Sequence, residues 1–246
     1  MENIIKEFKK IKELGFVKSN RPNNRDGGIG NTFEDYLGVA ENNFKLPDFE
    51  SFEIKSKREL NTSYTSLFCK SPNYPKKANT ILKERFGEFR NTDFTEHKIL
   101  YASIFTHRKS LIYEKFNMQL VVDKLEQKLK LIVEDIKTGE SYNDVYWDFN
   151  KLERASSKIK SLFIVYAEEK LIDKTRYYHY NKAEIFLDFS FDKFLNALES
   201  GIIMFDIRIG VYNSGKYFGK AHDHGSGFRI KAKDILQLYS EKITVE

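Results

Sequence analysis

The spacing of hydrophobic and polar residues along the chain predicts a mixture of helices and strands. Apolar side chains recur every three or four positions near the amino end, so the pattern predicts an amphipathic helix over residues 3–14. The apolar stretch Ser161–Glu168 is typical of a strand covered on both faces, and we expect it to lie in the centre of a sheet. Helix and strand patterns are intermixed along the chain, so the sequence indicates the α/β or α+β class.

The remaining elements follow from the same periodicities and from glycine and capping residues. Asn31-Thr32 is the expected N-cap of a short helix over Phe33–Leu37, which Gly38 ends. Residues 52–57 alternate apolar and charged side chains, and residues 63–70 are expected to form a strand that pairs with them. Further helices are predicted over residues 78–86, 191–198 and 233–239, and further strands or extended stretches over residues 116–123, 128–136, 202–212 and 221–230.

Length and composition narrow the class of protein without specifying a function. The 246 residues are 41% hydrophobic and 31% charged, which fits one large domain or two small lobes of a soluble globular protein. No apolar run approaches the roughly 20 residues that span a bilayer, so no membrane association is expected. The single cysteine, Cys69, excludes a disulfide framework and a cysteine-rich zinc site, is expected to be buried, and fits a cytoplasmic protein.

The charge of the chain favours a polyanionic partner only weakly. The formal net charge is +5, which is compatible with nucleic-acid binding but does not demand it. Basic runs occur at Lys55–Arg58, Lys76–Lys77, Arg108–Lys109 and Lys216–Lys220, and a solvated charged face explains each run taken alone. No P-loop, G-x-S-x-G or dinucleotide-binding fingerprint is present, so the chemistries of those motifs are not indicated.

Two carboxylates and a lysine come together at one predicted strand. Glu53 and Lys55 share one face of it, and Phe52 and Ile54 share the other, which the core would bury. Asp48 follows Pro47 just before the strand, and because proline favours an extended or turning backbone, a bend there can bring Asp48 beside Glu53. Phosphodiester hydrolysis needs such a set, because carboxylates bind Mg²⁺, Mg²⁺ neutralises the phosphate and lowers the pKa of a bound water, and a lysine orients that water. Taken alone, the triplet could also be the charged solvent face of a strand.

A second segment carries groups that can recognise bases. If residues 221–224 are extended, His222 and His224 point to the same side. Metal ligation would require further soft ligands, which the sequence does not place nearby, and a hydrogen-bonded pair in the core is a competing interpretation. Histidine and arginine also donate to guanine acceptors in a DNA groove, and Arg208 and Arg229 flank the histidine pair. Base recognition is therefore a third interpretation, beside metal ligation and a pair in the core.

These residues, together with others, resemble a known family. Asp48, Glu53 and Lys55 resemble the PD-(D/E)XK nuclease signature, and Gly28–Gly38 resembles the glycine-then-acidic-helix block of its MutH-like branch. Further blocks resemble the MvaI/BcnI restriction endonucleases, and these are Phe68–Pro72, Val145–Trp147, Val211–Lys220, His222–Gly225 and Phe228–Ile230. The resemblance runs from about the first helix to the C-terminus.

The resemblance implies a fold and a division into lobes. The expected fold is a restriction-endonuclease-like PD-(D/E)XK core, with a mixed β-sheet flanked by helices, plus a recognition lobe that clasps the duplex. We expect residues 1–110 to form the catalytic lobe and residues 111–246 to form the DNA-recognition lobe, with strands shared with the core.

The resemblance also implies roles for the candidate catalytic residues. Asp48 and Glu53 would bind the metal, and Lys55 would be the catalytic lysine. Glu34 matches an acidic helix position that helps to place the metal or the water. The alternative for Glu34 is a glutamate in the first helical turn, where the helix dipole favours it.

The remaining implied roles concern DNA. The residues expected to contact bases are Arg208, His222, His224 and Arg229. Lys216, Tyr217 and Lys220 are expected to contact phosphates, which position the protein without carrying sequence information. Lys70, with Asn73-Tyr74, would approach the opposite groove, and an ordinary surface loop is the alternative for this segment.

The implied function is that of a type II restriction endonuclease. It would hydrolyse double-stranded DNA with Mg²⁺, or with Mn²⁺ in its place, and leave 5′-phosphate ends. Its site would have CC on one side and GG on the other; an A·T centre is favoured, and a degenerate or G·C centre stays open. The chain would act as a monomer, and a cognate cytosine methyltransferase would be its genetic partner.

Two rival functions remain open at this stage. One is a MutH-like strand-nicking repair endonuclease, which would need a partner to activate it. The other is a sequence-specific DNA-binding protein that has lost catalysis. An RNA-binding function is poorly supported, because the sequence has no RRM-like or KH-like motif.

Overall fold

The computed structural model describes residues 1–21, 24, 27–39, 47–59, 63–89 and 97–246. The chain divides into two compact units, each assembled from separate stretches of sequence. Unit 1 comprises Met1–Ser63, Ser157–Ser190 and Ile235–Glu246, and unit 2 comprises Tyr64–Ser156 and Phe191–Asp234. None of the helices in the described ranges combines the length and apolar character needed to cross a membrane.

The α-helices of the described residues are α1 (Glu2–Glu13), α2 (Gly28–Leu37), α3 (Ala78–Phe86), α4 (Phe149–Ser156) and α5 (Phe191–Glu199). The β-strands are β1 (Val17–Lys18), β2 (Phe52–Arg58), β3 (Tyr64–Cys69), β4 (Glu88–Phe89), β5 (Lys98–Ile104), β6 (Ser110–Ile112), β7 (Phe116–Asp123), β8 (Lys128–Asp135), β9 (Ser141–Asp148), β10 (Ser161–Ile172), β11 (Thr175–Leu187), β12 (Ile203–Val211), β13 (Ala221–Asp223), β14 (Gly227–Lys231) and β15 (Glu241–Val245). Short 3₁₀ helices occupy Ser157–Ile159, Gly215–Tyr217 and Ala232–Leu238.

Unit 1 contains a mixed five-stranded sheet with β10 at its centre. β10 pairs in parallel with β2 on one side and antiparallel with β11 on the other, and both β1 and β15 pair with β11. The four successive residues from Leu162 to Val165 are all buried, so β10 is apolar without alternation because both of its faces are covered. The predicted central position of this strand is confirmed.

Helices α1 and α2 pack on one face of this sheet. The ring of Phe8 in α1 lies 5.9 Å from that of Phe163 in β10, and the ring of Phe33 in α2 lies 6.3 Å from it. β2 contributes Phe52 and Ile54 to the same core. Glu53 and Lys55, which alternate with these two residues, therefore point to the opposite face of β2.

Unit 2 contains two sheets. The first has the order β3-β14-β12-β5-β4, and β13 pairs with the last three residues of β12. The second is an antiparallel sheet with the order β6-β7-β8-β9. Helices α3, α4 and α5 belong to this unit.

An aromatic cluster connects the two sheets of unit 2. The indole of Trp147 in β9 is fully buried and lies edge-on to Phe205 of β12, with 4.7 Å between ring centroids. Phe205 in turn lies 5.0 Å from Phe228 of β14. The indole N–H of Trp147 donates to the carbonyl of Lys70 at 2.8 Å. The aromatic cluster therefore holds the two sheets together, and the hydrogen bond of Trp147 holds Lys70, the residue that follows β3.

Many of the predicted elements are present. The predictions of helices over residues 3–14, 78–86 and 191–198 are confirmed by α1, α3 and α5, and those of strands over residues 52–57, 116–123, 128–136 and 202–212 are confirmed by β2, β7, β8 and β12. The pattern missed the helix α4 and the strands β1, β4, β5, β6, β9, β11 and β15.

Two predictions near the amino end are wrong. Residues 63–70 do form a strand, β3, but it pairs with β14 of unit 2 and not with β2. Proximity in sequence favours a hairpin, whereas the actual partner lies more than 150 residues away in the chain. Helix α2 begins at Gly28, so Asn31-Thr32 is inside the helix and is not its N-cap. Thr32 is buried, and its hydroxyl oxygen accepts a hydrogen bond from the backbone N–H of Asn20 at 3.1 Å.

Three further predictions need correction. The extended stretch 221–230 is two strands, β13 and β14, which are separated by a turn. The helix expected over residues 233–239 is a 3₁₀ helix. Cys69 is exposed, because it is the last residue of β3 and points away from the core.

The compact units do not coincide with the expected boundary at residue 110. The chain enters unit 2 at Tyr64, returns to unit 1 at Ser157, enters unit 2 again at Phe191 and ends in unit 1 from Ile235. The assignment of a catalytic and a recognition role to the two parts of the chain stays a prediction.

Candidate active site and nucleic-acid interface

A tight turn brings the first predicted carboxylate back to β2. Phe49 and Phe52 exchange backbone hydrogen bonds of 3.0 and 2.8 Å across this turn, and Glu50 adopts a φ of 51° within it. The turn places Asp48 alongside β2, where its Oδ2 accepts a hydrogen bond from the N–H of Ile54 at 2.8 Å. The bend predicted from the sequence is therefore present.

Glu53 is the buried centre of this site. Only 1% of its surface is exposed, although it lies on the face of β2 opposite the aromatic core. Its Oε1 accepts a hydrogen bond from Nζ of Lys55, and a second one from Nζ of Lys158 at 2.7 Å. Its Oε2 is also buried and accepts no hydrogen bond. The interpretation of the triplet as a solvated strand face is therefore wrong. We refer to Asp48, Glu53, Lys55 and Lys158 as the carboxylate–lysine cluster.

Lys158 is a member of this cluster that the sequence did not reveal. It lies in the 3₁₀ helix immediately before β10, and Ser161 at the start of β10 pairs with Phe52 in β2. Because β10 and β2 are parallel neighbours, the residues that precede one strand lie next to the start of the other. The signal that could have found Lys158 is this parallel pairing, which hydrophobic periodicity does not encode.

The electrostatics of the cluster favour a bound cation. Burial, and then the negative charge of Glu53, raise the pKa of Asp48, so the two carboxylates are close enough to repel each other. Glu53 also has a buried oxygen without a donor, and such an atom is costly unless it binds something. Two carboxylates with an open oxygen are suitable ligands for a hard divalent cation such as Mg²⁺.

Glu34 lies in the second half of α2. The helix begins six residues earlier, at Gly28, so the alternative that placed Glu34 in a first helical turn is wrong. Its side chain is half-buried, and α2 packs against β2, which carries Glu53 and Lys55. The role of Glu34 beside the metal or the water stays a prediction.

The two predicted arginines share one carboxylate in unit 2. Arg208 of β12 donates from Nε to Oδ2 of Asp206 at 2.7 Å, and Nε of Arg229 in β14 lies 3.0 Å from the same oxygen in an ion pair. This contact of Arg229 is an ion pair and not a hydrogen bond, because Nε of Arg229 has no hydrogen-bond partner. Oδ1 of Asp206 accepts from the hydroxyl of Ser103 at 2.9 Å. Asp206 therefore fixes both guanidinium groups, a role the sequence did not indicate.

The two predicted histidines lie side by side, as alternation along an extended segment requires. The ring centroids of His222 and His224 are 4.2 Å apart, and His222 stacks on Tyr212 at 4.1 Å. Burial, followed by the nearby charge of His222, lowers the pKa of His224, so His224 is neutral at neutral pH and can both donate and accept a hydrogen bond. We refer to Asp206, Arg208, Arg229, His222 and His224 as the arginine–histidine cluster.

Asp223 points away from the histidines and holds their turn in place. Its Oδ1 accepts from the backbone N–H groups of Gly225 and Ser226 at 3.0 and 2.6 Å. Its Oδ2 accepts from the side-chain amide of Asn79 at 2.7 Å. With both oxygens engaged, Asp223 is an anchor. No group of three or more histidine, cysteine or acidic residues suited to a metal occurs among the described residues.

A cleft opens beside the cluster. It has a volume of about 390 Å³ and is lined by Tyr101, Ala102, Ser103, Asp206, Ile207, Arg208 and His224. Asp206, Arg208 and Gly210 share one face of β12. Arg208 is the most exposed member of this strand, with 45% of its side-chain surface accessible, so its guanidinium is open to a ligand while its Nε is held.

The predicted phosphate-contacting residues lie together after β12. Tyr217 is 46% exposed, and the ammonium groups of Lys216 and Lys220 lie 5.1 and 5.3 Å from the centroid of its ring. Two cations around an exposed aromatic ring are suited to a nucleic-acid backbone. Lys70 is half-buried at the end of β3, and the aromatic ring of Tyr74 stacks on Tyr146 at 5.0 Å. The segment around Lys70 is thus held in place, and its predicted approach to DNA stays a prediction.

Replacing Gly210 by alanine is expected to displace His224. A Cβ at this position would lie 2.7 Å from Nε2 of His224, which is closer than real contacts allow, and 3.2 Å from the hydroxyl of Tyr101. The histidine ring can rotate away, so we expect the fold to persist. Because His224 is predicted to contact a base, we expect specific DNA binding to weaken about tenfold. Fluorescence anisotropy with a cognate duplex measures this loss.

A double-mutant cycle provides the control for Gly210→Ala. If the added methyl group acts only through His224, it has no further effect on binding in a His224→Ala background. Equal losses in the two backgrounds would show that Gly210 acts independently of the histidine.

The fold and the first cluster define a class of protein. A mixed sheet flanked by helices carries Glu53 and Lys55 on β2, the last strand in its order, and Asp48 lies alongside that strand. This is the arrangement of the restriction-endonuclease-like PD-(D/E)XK fold. The MvaI/BcnI restriction endonuclease family model matches residues 5–239. The chain therefore belongs to the MvaI/BcnI restriction endonuclease family, and the predicted family is confirmed.

Solved structures agree with this membership. The chain is similar to "Restriction endonuclease MvaI-cognate DNA substrate complex", with 33% identity, a TM-score of 0.89 and coverage of 100% of this chain and 98% of that chain. It is also similar to "Restriction endonuclease MvaI in the absence of DNA", with 33% identity, a TM-score of 0.62 and coverage of 98% and 96%. No match was found among curated proteins.

Proposed function

We propose that the protein is a Mg²⁺-dependent type II restriction endonuclease that hydrolyses double-stranded DNA at a short site with CC on one side and GG on the other. The observation that carries the proposal is Glu53. Glu53 is buried on a sheet face, pairs with two lysines and has one oxygen without a donor. An apolar residue in this position would serve the fold equally well, so the fold alone does not explain the carboxylate. Such an arrangement is typical of a site that binds a cation and a phosphate.

In the proposed mechanism, Asp48 and Glu53 hold the divalent cation. When bound, Mg²⁺ supplies neutralisation of the phosphate charge and acidification of a water. Mn²⁺, which has similar ligand preferences, is expected to replace it. Asp48 is fixed by the N–H of Ile54 and Glu53 by the lysines, so neither carboxylate has to be ordered when the cation binds.

Lys55 acts on the reacting groups in this mechanism. Its ammonium donates to the attacking water or to the phosphate oxygen on which negative charge grows. Water attacks in line and loses a proton to solvent, a bond forms between its oxygen and phosphorus, and the bond from phosphorus to the 3′ oxygen breaks. The 3′ oxygen leaves and takes up a proton from solvent to become a hydroxyl. The product then keeps its 5′ phosphate. Glu34, in the helix that packs on β2, is assigned the placement of the water or the cation.

The arginine–histidine cluster is assigned to base recognition. Arginine makes the commonest specific contact, a bidentate pair with O6 and N7 of guanine, and neutral histidine can donate to the same acceptors. One surface presents several of these hydrogen-bond donors. Asp206 holds Arg208 and Arg229, and the rings of His222 and His224 lie next to each other. We assign this surface to the GG and CC ends of the site. A·T is the favoured base pair between them, and sequencing of the cut ends identifies it.

Phosphate contacts are assigned to Lys216, Tyr217 and Lys220, and a further contact to Lys70. These contacts position the duplex and are not expected to discriminate among sequences. The DNA complex among the similar structures supports this assignment of a duplex partner.

Two consequences concern the cell. We infer that the chain acts in the cytoplasm as a monomer that cuts the two strands in successive events, which makes nicked DNA a transient intermediate. A nuclease with a short site endangers its own chromosome, so the proposal includes a cognate cytosine methyltransferase as the genetic partner.

Digestion of an unmethylated plasmid tests the proposal. Purified protein with Mg²⁺ is expected to give discrete ends within one short CC…GG sequence, with a nicked circle formed before the linear product, and no cleavage after chelation by EDTA. Sequencing of the ends identifies the central base pair and the stagger. Permanent nicking without linear product would support the MutH-like repair nickase, and specific binding without cleavage in Mg²⁺ or Mn²⁺ would support an inactive DNA-binding protein.

A further inference from the structure

We propose that Lys158 is a positioning residue of the active site. It is the resident counter-ion of Glu53, which leaves Lys55 available to the water and the phosphate and keeps the open oxygen of Glu53 directed at the cation site. This inference rests on the proposed function, because it assigns Lys55 to the substrate.

The geometry shows two cations on one oxygen. Nζ of Lys55 and Nζ of Lys158 both donate to Oε1 of Glu53, while Oε2 is left without a donor. The charges of two carboxylates and two lysines balance, while both lysine hydrogen bonds are made to the same oxygen of Glu53. Glu53 therefore keeps one donor when Lys55 turns to another group.

The backbone that carries Lys158 is held in place beside Glu53. The carbonyl of Ile159, the next residue, accepts a hydrogen bond from the hydroxyl of Tyr239 at 2.8 Å, and the side chain of Ile159 is fully buried. Two residues further on, β10 starts its pairing with β2 at Phe52. The backbone that carries Lys158 is thus tied to the strand that carries Glu53.

The cost of releasing Lys55 explains why a second lysine is needed. Without Lys158, movement of Lys55 to the phosphate would leave the buried Oε1 of Glu53 with no hydrogen bond, which is unfavourable even with a cation on the other oxygen. With Lys158 in place, Glu53 keeps one charge-assisted hydrogen bond throughout. Lys158 therefore lowers the energy needed for Lys55 to reach the substrate, and it does so without touching the substrate itself.

The variant Lys158→Met tests this division of roles with two readouts. Because Lys55 becomes the sole partner of Glu53, single-turnover cleavage is expected to slow roughly ten- to hundredfold, with little change in the affinity for the specific duplex. Because a positive charge is removed beside a cation ligand, Mn²⁺ is expected to bind the DNA-free variant several-fold more tightly. Electron paramagnetic resonance of free Mn²⁺ measures this binding without any DNA or cleavage.

Two further variants serve as controls. Lys158→Arg keeps the charge and is expected to restore both readouts towards the wild-type values. Lys160→Met removes an exposed lysine two residues along the chain and is expected to change neither. Thermal unfolding of all three variants checks that the fold is retained.

Slower cleavage together with tighter Mn²⁺ binding in Lys158→Met, both reversed in Lys158→Arg, supports the proposal. Any other combination overturns it: unchanged cleavage means that Lys55 needs no second lysine, and weaker Mn²⁺ binding means that Lys158 only maintains the shape of the site. If the wild-type protein cuts no DNA at all, the proposed nuclease function fails, while the Mn²⁺ comparison still decides whether Lys158 balances Glu53.

Discussion

Lys55→Ala is expected to abolish DNA cleavage while specific binding persists. Lys55 is the one member of the carboxylate–lysine cluster assigned to the reacting water or phosphate, and the loss of one such donor typically lowers a rate by about two to three orders of magnitude. Glu53 keeps Lys158 as its partner in this variant, so the buried carboxylate is not left without a donor and the fold should survive. Single-turnover cleavage of a labelled duplex measures the rate, and anisotropy in Ca²⁺ measures binding.

A matched control for Lys55→Ala lies on the same strand and the same face. Lys57 is buried and donates from Nζ to the carbonyl of Ser63 at 3.0 Å, away from the carboxylates. Lys57→Ala is expected to lower the thermal stability, since a buried side chain is lost, but to leave cleavage by folded molecules within a few-fold of the wild type. Undiminished cutting by Lys55→Ala would refute the active-site assignment.

Arg208→Ala is expected to lower the affinity for the cognate duplex about five- to 150-fold and to relax discrimination at one base pair. The estimate follows from the roughly 1–3 kcal/mol that a bidentate arginine contributes against a wrong base. Asp206 retains Arg229 within 3.0 Å, so removal of Arg208 does not leave it unpaired. Anisotropy titrations in Ca²⁺ with the cognate duplex, and with duplexes changed at single base pairs, measure both effects.

The control for Arg208→Ala is a lysine from the phosphate-contacting group. Lys216→Ala is expected to weaken binding to all duplexes by a similar factor and to reduce the slope of log affinity against log salt by about one. If Arg208→Ala likewise weakened cognate and altered duplexes equally, Arg208 would contact the backbone and the assignment to bases would be wrong.

Local patterns predicted much of the geometry of the candidate active site. Alternation in β2 placed Glu53 and Lys55 on one face, and a proline followed by Asp48 indicated the bend that returns to Ile54. Burial of Glu53 was not predictable, because a charged residue on an alternating strand normally points to solvent. Lys158 was not predictable either, because its place depends on which strand pairs with β2, and that pairing joins residues more than 100 positions apart.

The arginine–histidine cluster shows the same division. The spacing of His222 and His224 predicted two adjacent rings, and the structure has them 4.2 Å apart. The roles of Asp206 and Asp223 as anchors were missed, because an acidic residue beside arginines and histidines has many interpretations until its hydrogen bonds are known. The division of the chain into lobes near residue 110 stays a prediction, and the compact units, which are formed from interleaved stretches, are defined by contacts distant in sequence.

Specific cleavage at the carboxylate–lysine cluster can be tested with two short duplexes at equal Mg²⁺. One duplex has the site that the plasmid digest defines and the other has a single outer G·C pair inverted, and each is incubated with wild-type protein and with Lys55→Ala. We expect the wild type to cleave both strands of the first duplex, and no detectable cleavage in the other three reactions during the time in which the first goes to completion. Equal cutting of both duplexes by the wild type, or cutting of the first duplex by Lys55→Ala at the wild-type rate, would contradict this expectation.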